Sequence, residues 1–197
     1  MIARREALAL LGAGLAFPAE ARRARSAYLL VAAARRQVGV TLAYDPAYTR
    51  LAFPGGDVVR SKGVCTDVLI RAYRDGLNVD LQALVNADMK RAFAAYPKRW
   101  GLKSTDSNID HRRVPNLQTF FVRQGAKLPV TSTYADWRLG DIFTSLVGGT
   151  LPHIGIVSDL ESRQGAPLAI HNIGRGAREE AALFDHPLTG HYRWDLV

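Results

Sequence analysis

The stretch GVCTDVLIRAYR, residues 63–74, contains a helix start around which the rest of the chain can be arranged. A turn-like sequence, Gly55-Gly56-Asp57, lies upstream and is typical of a loop. The apolar run from Val68 to Tyr73 predicts a buried helix that ends near Gly76. Cys65, the only cysteine among the 197 residues, therefore falls in the first turn of that helix.

This position favours a nucleophilic form of Cys65. Backbone N–H groups and the positive end of the macrodipole stabilise an anion at a helix start, so the pKa of a cysteine there is lowered. Asp67, in the same turn, stabilises the helix but opposes a negative sulfur. We therefore expect a low-pKa thiol at Cys65, and the alternative is a small buried hydrophobic residue, as free cysteines commonly are.

The first residues follow the pattern of an export signal. Arg4-Arg5 precedes a short apolar run, Ala7 to Phe17, and a small-residue cleavage site, Ala19-Glu20-Ala21, follows. The apolar run is too short to span a bilayer, and the paired arginines resemble a twin-arginine signal. We expect residues 1–21 to be removed on export and residues 22–197 to form one periplasmic domain, the alternative being a cytosolic N-terminal helix. In an oxidising compartment, a lone cysteine is left for intermolecular pairing or reactivity.

The composition describes a soluble globular domain, with 48% apolar and 22% charged residues. The net charge of +8 suits an acidic polymer or an anionic membrane face as a partner. The sequence contains no recognition helix, zinc finger or aromatic RNA-binding motif, so we expect no nucleic-acid partner. We also expect a monomer without stable membrane insertion after signal removal, because no later segment is long enough to cross a bilayer.

The pattern of caps and breakers predicts helices first and strands second. Besides the cysteine helix, the predicted helices are Ser26 to Val38 with Gly39 as its stop, Asp80 to Pro97, and Pro115 to Gly125. The second of these has a predicted core face of Leu81, Leu84, Val85, Met89, Ala92, Phe93 and Tyr96. The predicted strands are residues 141–143, 153–157 and 168–171, with residues 190–197 as an edge strand. This order predicts an α+β fold in which N-terminal helices pack on a C-terminal antiparallel sheet.

Two of the five histidines lie where a thiol would need them. His153 opens a predicted strand and His171 closes the following one. If Ser158 lies opposite Ala166 in the hairpin, His153 lies directly opposite His171, and the two imidazoles can touch as a base and its orienting partner. A slip of one residue would place them on opposite faces. The alternative for each is a structural histidine with one hydrogen bond.

The chain resembles a known family at several motifs. The order of Cys65, residues 140–143, residues 153–157 and His171 resembles the NlpC-type branch of papain-like cysteine peptidases. More closely, the chain is identified as a member of the bacterial family catalogued as domain of unknown function 1287. The motifs that carry this closer resemblance are residues 44–48, 63–68, 108–117, 153–159, 171–174 and 190–193.

The resemblance to the peptidases implies a papain-like fold and a role for each residue of the site. Cys65 would be the nucleophile, His153 the general base and His171 the orienting residue. A tyrosine upstream of the cysteine supplies a hydroxyl near the thiol in some enzymes of this branch, which implies the same role for Tyr44.

A cluster of charged residues, Asp110-His111-Arg112-Arg113, lies outside the peptidase pattern. We predict that it binds substrate, because arginine binds carboxylates in a two-pronged geometry. The alternative is a structural group of ion pairs.

The function expected from the sequence is that of a periplasmic cysteine amidase or peptidase without a cofactor or metal. Its substrate would be cell-wall peptide or a related amide. One alternative is a zinc site formed by Cys65, His153 and His171, although no closely spaced H-x-x-x-H or C-x-x-C pair supports it. Another is a cell-envelope binding module without catalytic turnover.

Overall fold

The helices precede the sheet along the chain, so the expected α+β fold is confirmed. The computed structural model describes residues 19–194. Its helices are α1 (Ala19–Arg35), α2 (Cys65–Leu77), α3 (Leu81–Ala92) and α4 (Val114–Arg123). Its strands are β1 (Ala43–Tyr44), β2 (Lys62–Gly63), β3 (Lys127–Leu128), β4 (Ile142–Val147), β5 (Leu151–Glu161), β6 (Pro167–Asn172), β7 (Ala177–Glu180) and β8 (Leu188–Tyr192).

Six strands form one antiparallel sheet in the order β3-β8-β4-β5-β6-β7, whereas β1 and β2 form a separate parallel pair. The predicted edge strand near the end of the chain is wrong in its position. Tyr192 of β8 pairs with Lys127 on one side and with Ile142 on the other, so β8 is an interior strand. Strand β3, which covers its outer side, has two residues and is too short to produce a sequence pattern.

The main core lies between the helices and one face of the sheet. Ile154, Ile156 and Ile170 project toward this side and pack in the same cluster as Val68 and Leu69 of α2. The opposite face carries a smaller cluster that includes Phe143, Val157 and Ala169. Because side chains alternate along a strand, α2 is held against β5 by the even-numbered residues of the sheet. Burial of this apolar surface is the main force that fixes the cysteine helix to the strand.

The predicted start of α3 and the predicted stop of α4 are accurate, whereas α3 ends at Ala92, before the predicted Pro97, and α1 differs from its prediction at both ends. Asp80 caps α3 by accepting a hydrogen bond from Gln82 N, and Gly125 follows α4 with a positive φ of 72°. Ser26 lies inside α1, because the Ala- and Arg-rich residues before it are good helix formers and extend the helix to Ala19. On α3, Leu84 is exposed although its spacing predicted a core position.

The predicted export signal lies outside the described residues except for Ala19-Glu20-Ala21, which form the first turn of α1. Within residues 19–194, no helix is both long and apolar enough to cross a membrane.

Candidate functional site

The start of α2 is fixed by a buried ion pair. Asp67 accepts the N–H of Val64 at 2.7 Å, which satisfies one of the donors exposed at a helix start. The same carboxylate receives the guanidinium of Arg112, with Nε–Oδ1 and Nη2–Oδ2 distances of 2.9 Å. Both side chains are almost fully buried, so this contact holds the first turn, and with it Cys65, at one place in the core.

The Cys65 thiol lies among polar groups but is buried, and burial has the larger effect. Burial, with a smaller contribution from the nearby Asp67 carboxylate, raises its pKa to about 11. The backbone N–H groups of Ile154, Thr66 and Cys65 itself act in the opposite direction by favouring the thiolate. The expectation of a low-pKa thiol is therefore wrong for this structure, because packing against β5 removes the sulfur from water.

A cavity of about 390 Å³ opens beside Cys65. Tyr44 lines it, and the tyrosine hydroxyl interacts with the thiol. Burial, together with the neighbouring sulfur, raises the pKa of Tyr44 to about 12, so the hydroxyl keeps its proton and can donate it in a hydrogen bond. The structure thus brings Tyr44 to Cys65, as the resemblance implied.

The two histidines meet, although in a register different from the expected one. Nε2 of His153 lies 2.9 Å from Nδ1 of His171. In the observed pairing, Ile156 lies opposite Ile170, and a bulge separates this register from the pairing of Glu161 with Pro167. The expected pairing of Ser158 with Ala166 is wrong, because β5 continues past the bulge and the hairpin closes at Ser162, whose N–H bonds the carbonyl of Ala166.

The two imidazoles are in contact although the predicted register is wrong, because the observed register differs from it by two residues and both side chains stay on one face of the sheet. Continuing the ladder sets His171 beside Gly155 and makes His153 its diagonal neighbour. Gly155 has no side chain, and a Cβ there would lie 3.1 Å from Cβ of His171 and 2.5 Å from Cε1 of Phe143. A larger residue at this position would occupy the space that the two imidazoles use.

A carboxylate extends the histidine pair. Nε2 of His171 lies 3.3 Å from Oε1 of Glu180 on β7, although the angle is not that of a hydrogen bond. Strand β7 was not predicted, because its residues Ala-Arg-Glu-Glu lack the apolar alternation that marks a strand. His186, which was expected to lie outside the hairpin, contributes electrostatically to lowering the pKa of both His153 and His171.

Both imidazoles are buried and neutral near neutral pH. Burial lowers the pKa of His153 to about 3 and also lowers that of His171. Within residues 19–194, no hydrogen bond joins the Cys65 thiol to either ring; the contact with β5 runs through the N–H of Ile154, the residue after His153. Side chains alternate along β5, so His153 lies with Phe143 and Val157 on the face of the sheet opposite the one that α2 and Cys65 cover. The structure therefore does not bring the histidine pair to the thiol, and the role of His153 as the base stays a prediction.

A second link between the histidine strand and the cysteine loop was not predicted. The side-chain amide of Asn172, the residue after His171, donates to the carbonyl of Gly63 at 3.0 Å. Because Gly63 lies two residues before Cys65, this hydrogen bond links β6 to the segment that leads into α2. The sequence carries no signal for it apart from the proximity of Asn172 to His171.

The charged cluster at residues 110–113 is mostly structural. Asp110, His111 and Arg112 form a buried helical turn. Asp110 accepts the N–H of Asp106, and burial raises its pKa; burial lowers the pKa of His111 to about 4. Arg112 is held by Asp67. Asp110, His111 and Arg112 are therefore held by contacts within the protein, and Arg112 and Arg113 both line the cavity. Binding of substrate by this cluster stays a prediction.

The zinc alternative finds no support in the positions of the side chains. Among the described residues, no group of three or more His, Cys, Asp or Glu side chains is arranged to hold a metal ion. Cys65, His153 and His171 therefore do not converge as zinc ligands would.

These features define an α+β protein with a thiol at a helix start and a histidine pair on the adjoining strands. The family model described as domain of unknown function (DUF1287) matches residues 31–194, and the chain belongs to that family. The chain is also 54% identical over 161 residues to the "Uncharacterized protein YijF" of Escherichia coli (strain K12). That match covers 82% of this chain and 78% of the relative.

Proposed function

We propose that this protein is a thiol-dependent amidase or peptidase of the NlpC-like, papain-like kind, acting on cell-wall peptide or a related amide in the periplasm. The observation that supports this most is the setting of Cys65. Three backbone N–H groups and the Tyr44 hydroxyl surround its sulfur at the wall of a cavity, beside the strand that carries His153. Donors placed in this way stabilise negative charge that develops during acyl transfer.

The histidine pair has a preferred arrangement of protons. A carboxylate only accepts hydrogen bonds, so Glu180 favours a proton on Nε2 of His171. Nδ1 of His171 then accepts from Nε2 of His153, and Nδ1 of His153 is left without a proton. In this arrangement His153 is a base, His171 fixes its tautomer, and Glu180 acts through His171 as a further positioning residue.

The reaction begins with a neutral thiol and a neutral imidazole. As the Cys65 sulfur attacks the amide carbon, a C–S bond forms and its proton passes to Nδ1 of His153. This transfer requires the start of β5 to move so that the imidazole reaches the face of the sheet that Cys65 occupies. The C–N bond then breaks, and the imidazolium gives its proton to the leaving amine. Water attacks the thioester with His153 again as the base; the acid is released and the sulfur regains a proton. Proton transfer accompanies attack because the resting pair, with pKa values of about 11 and 3, does not form an ion pair.

The test is digestion of purified wall fragments, with products identified by mass. We expect wild type to cleave an amide bond and Cys65→Ala to be inactive. His153→Ala should lose about as much activity as Cys65→Ala, because residues of one catalytic unit are strongly non-additive, whereas His171→Ala should retain a residual rate. A thermal melt of each variant checks folding.

Two outcomes would contradict this assignment. If His111→Ala silences the thiol while His153→Ala does not, the base has been misplaced. If wild type binds wall fragments but no bond is broken over a range of fragments, the chain acts as a binding module. Cys65→Ser serves as the isosteric control, since it keeps the packing while replacing the sulfur.

A further inference from the structure

One wall of the cavity beside Cys65 is strongly basic. Arg99, Arg112 and Arg113 line it, whereas no Asp or Glu of residues 19–194 does. A small cavity lined by one sign of charge concentrates the field of that charge and attracts ions of the opposite sign. The wall therefore favours an anionic group close to the thiol.

The three arginines differ in how much of their donor capacity is used inside the protein. The hydrogen-bond donors of Arg112 are largely used within the protein, because its guanidinium donates to both oxygens of Asp67 and to the carbonyls of Ala47 and Asp45. Arg113 makes one long bond, from Nη1 to Asp110 at 3.3 Å. Arg99 makes no hydrogen bond or ion pair with the part of the chain that the structure describes, and it is exposed.

Trp100 gives Arg113 a fixed orientation. The centre of the Arg113 guanidinium lies 4.0 Å from the centroid of the indole ring, a cation–π contact that holds the guanidinium plane. A guanidinium has five N–H donors in a fork that matches a carboxylate, and the single bond to Asp110 leaves most of them unused by described residues.

We propose that Arg99 and Arg113, with Trp100 behind Arg113, form a carboxylate-binding subsite next to Cys65. This inference rests on the proposed function: the substrate is a short peptide or amide with a free carboxylate close to the bond that the thiol attacks. The volume of about 390 Å³ lies at the small end of ligand pockets, which suits a small acidic group rather than a long chain.

The test compares two alkylating reagents that differ in charge but hardly in shape. Iodoacetate carries a carboxylate and iodoacetamide does not, and Cys65 is the single cysteine, so intact mass gives both rates directly. The reference is the same chain unfolded in concentrated urea. We expect the iodoacetate-to-iodoacetamide rate ratio to be about tenfold higher in the folded protein, as one charge-assisted hydrogen bond allows. An equal or lower ratio overturns the subsite.

Arg99→Gln is the first variant, because an exposed side chain can be replaced without disturbing the core. It should lower the iodoacetate rate severalfold and leave the iodoacetamide rate unchanged. Arg113→Gln should do the same, and Arg113→Lys tests the fork, since lysine keeps the charge and loses the geometry. Arg91→Gln is the matched control, because Arg91 is exposed and does not line the cavity. If Arg91→Gln lowers the ratio as much as Arg99→Gln, the effect is one of net charge and the proposal fails.

Protection identifies the source of the carboxylate. N-acetylglycine offers a terminal carboxylate, the α-amide of N-acetylaspartate offers a side-chain carboxylate, and N-acetylglycinamide offers neither. Slower alkylation by iodoacetamide in the presence of either acid supports the subsite and names its preferred source, whereas equal protection by the amide contradicts it. These readouts need no turnover, so they separate a failure of the subsite from a failure of the hydrolase proposal.

Discussion

The thiol of Cys65 is governed more by burial than by its place at a helix start. Since burial raises its pKa to about 11, we expect its alkylation rate with iodoacetamide to keep rising with pH through 9 and 10. The thiolate fraction, which sets the rate, grows tenfold for each pH unit below the pKa. The measurement is the rate of mass gain of the intact protein at each pH.

Free cysteine in the same reaction gives the reference, with a midpoint at about 8.5. A plateau for the folded protein below that pH would show that Cys65 is an activated thiolate in the resting state. In that case the reaction would begin from a thiolate–imidazolium pair, and the concerted proton transfer described above would be wrong.

The sequence predicts the position of Cys65 but not its environment. Its place at a helix start follows from a local pattern within residues 63–74. The burial of its sulfur depends on Ile154, almost ninety residues later, and therefore on tertiary packing that no local pattern reports. The same holds for Arg112, whose motif indicates charge but whose partner Asp67 comes from another helix.

Strands β5 and β6 hold the histidine pair only because Gly155 leaves room between them. Replacing Gly155 with Ala would place a methyl group in conflict with the Phe143 ring and close to His171. We expect Gly155→Ala to destabilise the fold by about 1–3 kcal/mol, as overpacking of a core does. We also expect the proposed amidase activity to fall, because the imidazole of His171 is displaced. Denaturant unfolding and a turnover assay measure the two effects.

The matched control for this clash is the double variant Gly155→Ala with Phe143→Leu. Leucine removes the ring atoms that the new methyl group would meet, so it should recover part of the lost stability. If Gly155→Ala has the same free energy of unfolding as wild type, the new methyl group does not clash with the Phe143 ring and this prediction is wrong.

The elements that the sequence predicted well are those with local caps. Asp80 and Gly125 mark helix ends whatever the tertiary structure. Strand β7 is polar and takes its place from pairing with β6. The irregular stretch of β5 contains Ser158, whose hydroxyl hydrogen-bonds Glu179 and Arg35. Such strands are decided by their neighbours, so period-based prediction misses them or shifts their register.

Buried histidines make the stability of the whole molecule sensitive to acid. Burial lowers the folded-state pKa of His111 to about 4 and of His153 to about 3, below the unfolded value of about 6.5. As the pH falls below 6.5, the unfolded chain binds protons that the folded chain does not. The free energy of unfolding should therefore fall, on the order of 2 kcal/mol per histidine between pH 7.5 and 5. Urea unfolding at the two pH values measures it.

The variant His111→Gln isolates one of these contributions. It should reduce the difference in unfolding free energy between the two pH values, whatever its effect on absolute stability. Carboxylates with a lowered pKa, such as Asp88 and Asp75, lose their stabilising contacts only at lower pH and do not contribute to this window. Equal stability at pH 7.5 and pH 5 would contradict the burial of both imidazoles.

The interior position of β8 has a consequence for the time at which the domain is completed during synthesis. Strands β4 to β7 can pair in sequence as hairpins when they leave the ribosome, but β3 has no partner in this sheet until β8 arrives. Until then the open edge of β4 offers unpaired backbone groups to any other extended chain. A nascent chain that stalls before residue 188 is therefore the form most exposed to aggregation, and a chaperone that covers a strand edge would matter most at that moment.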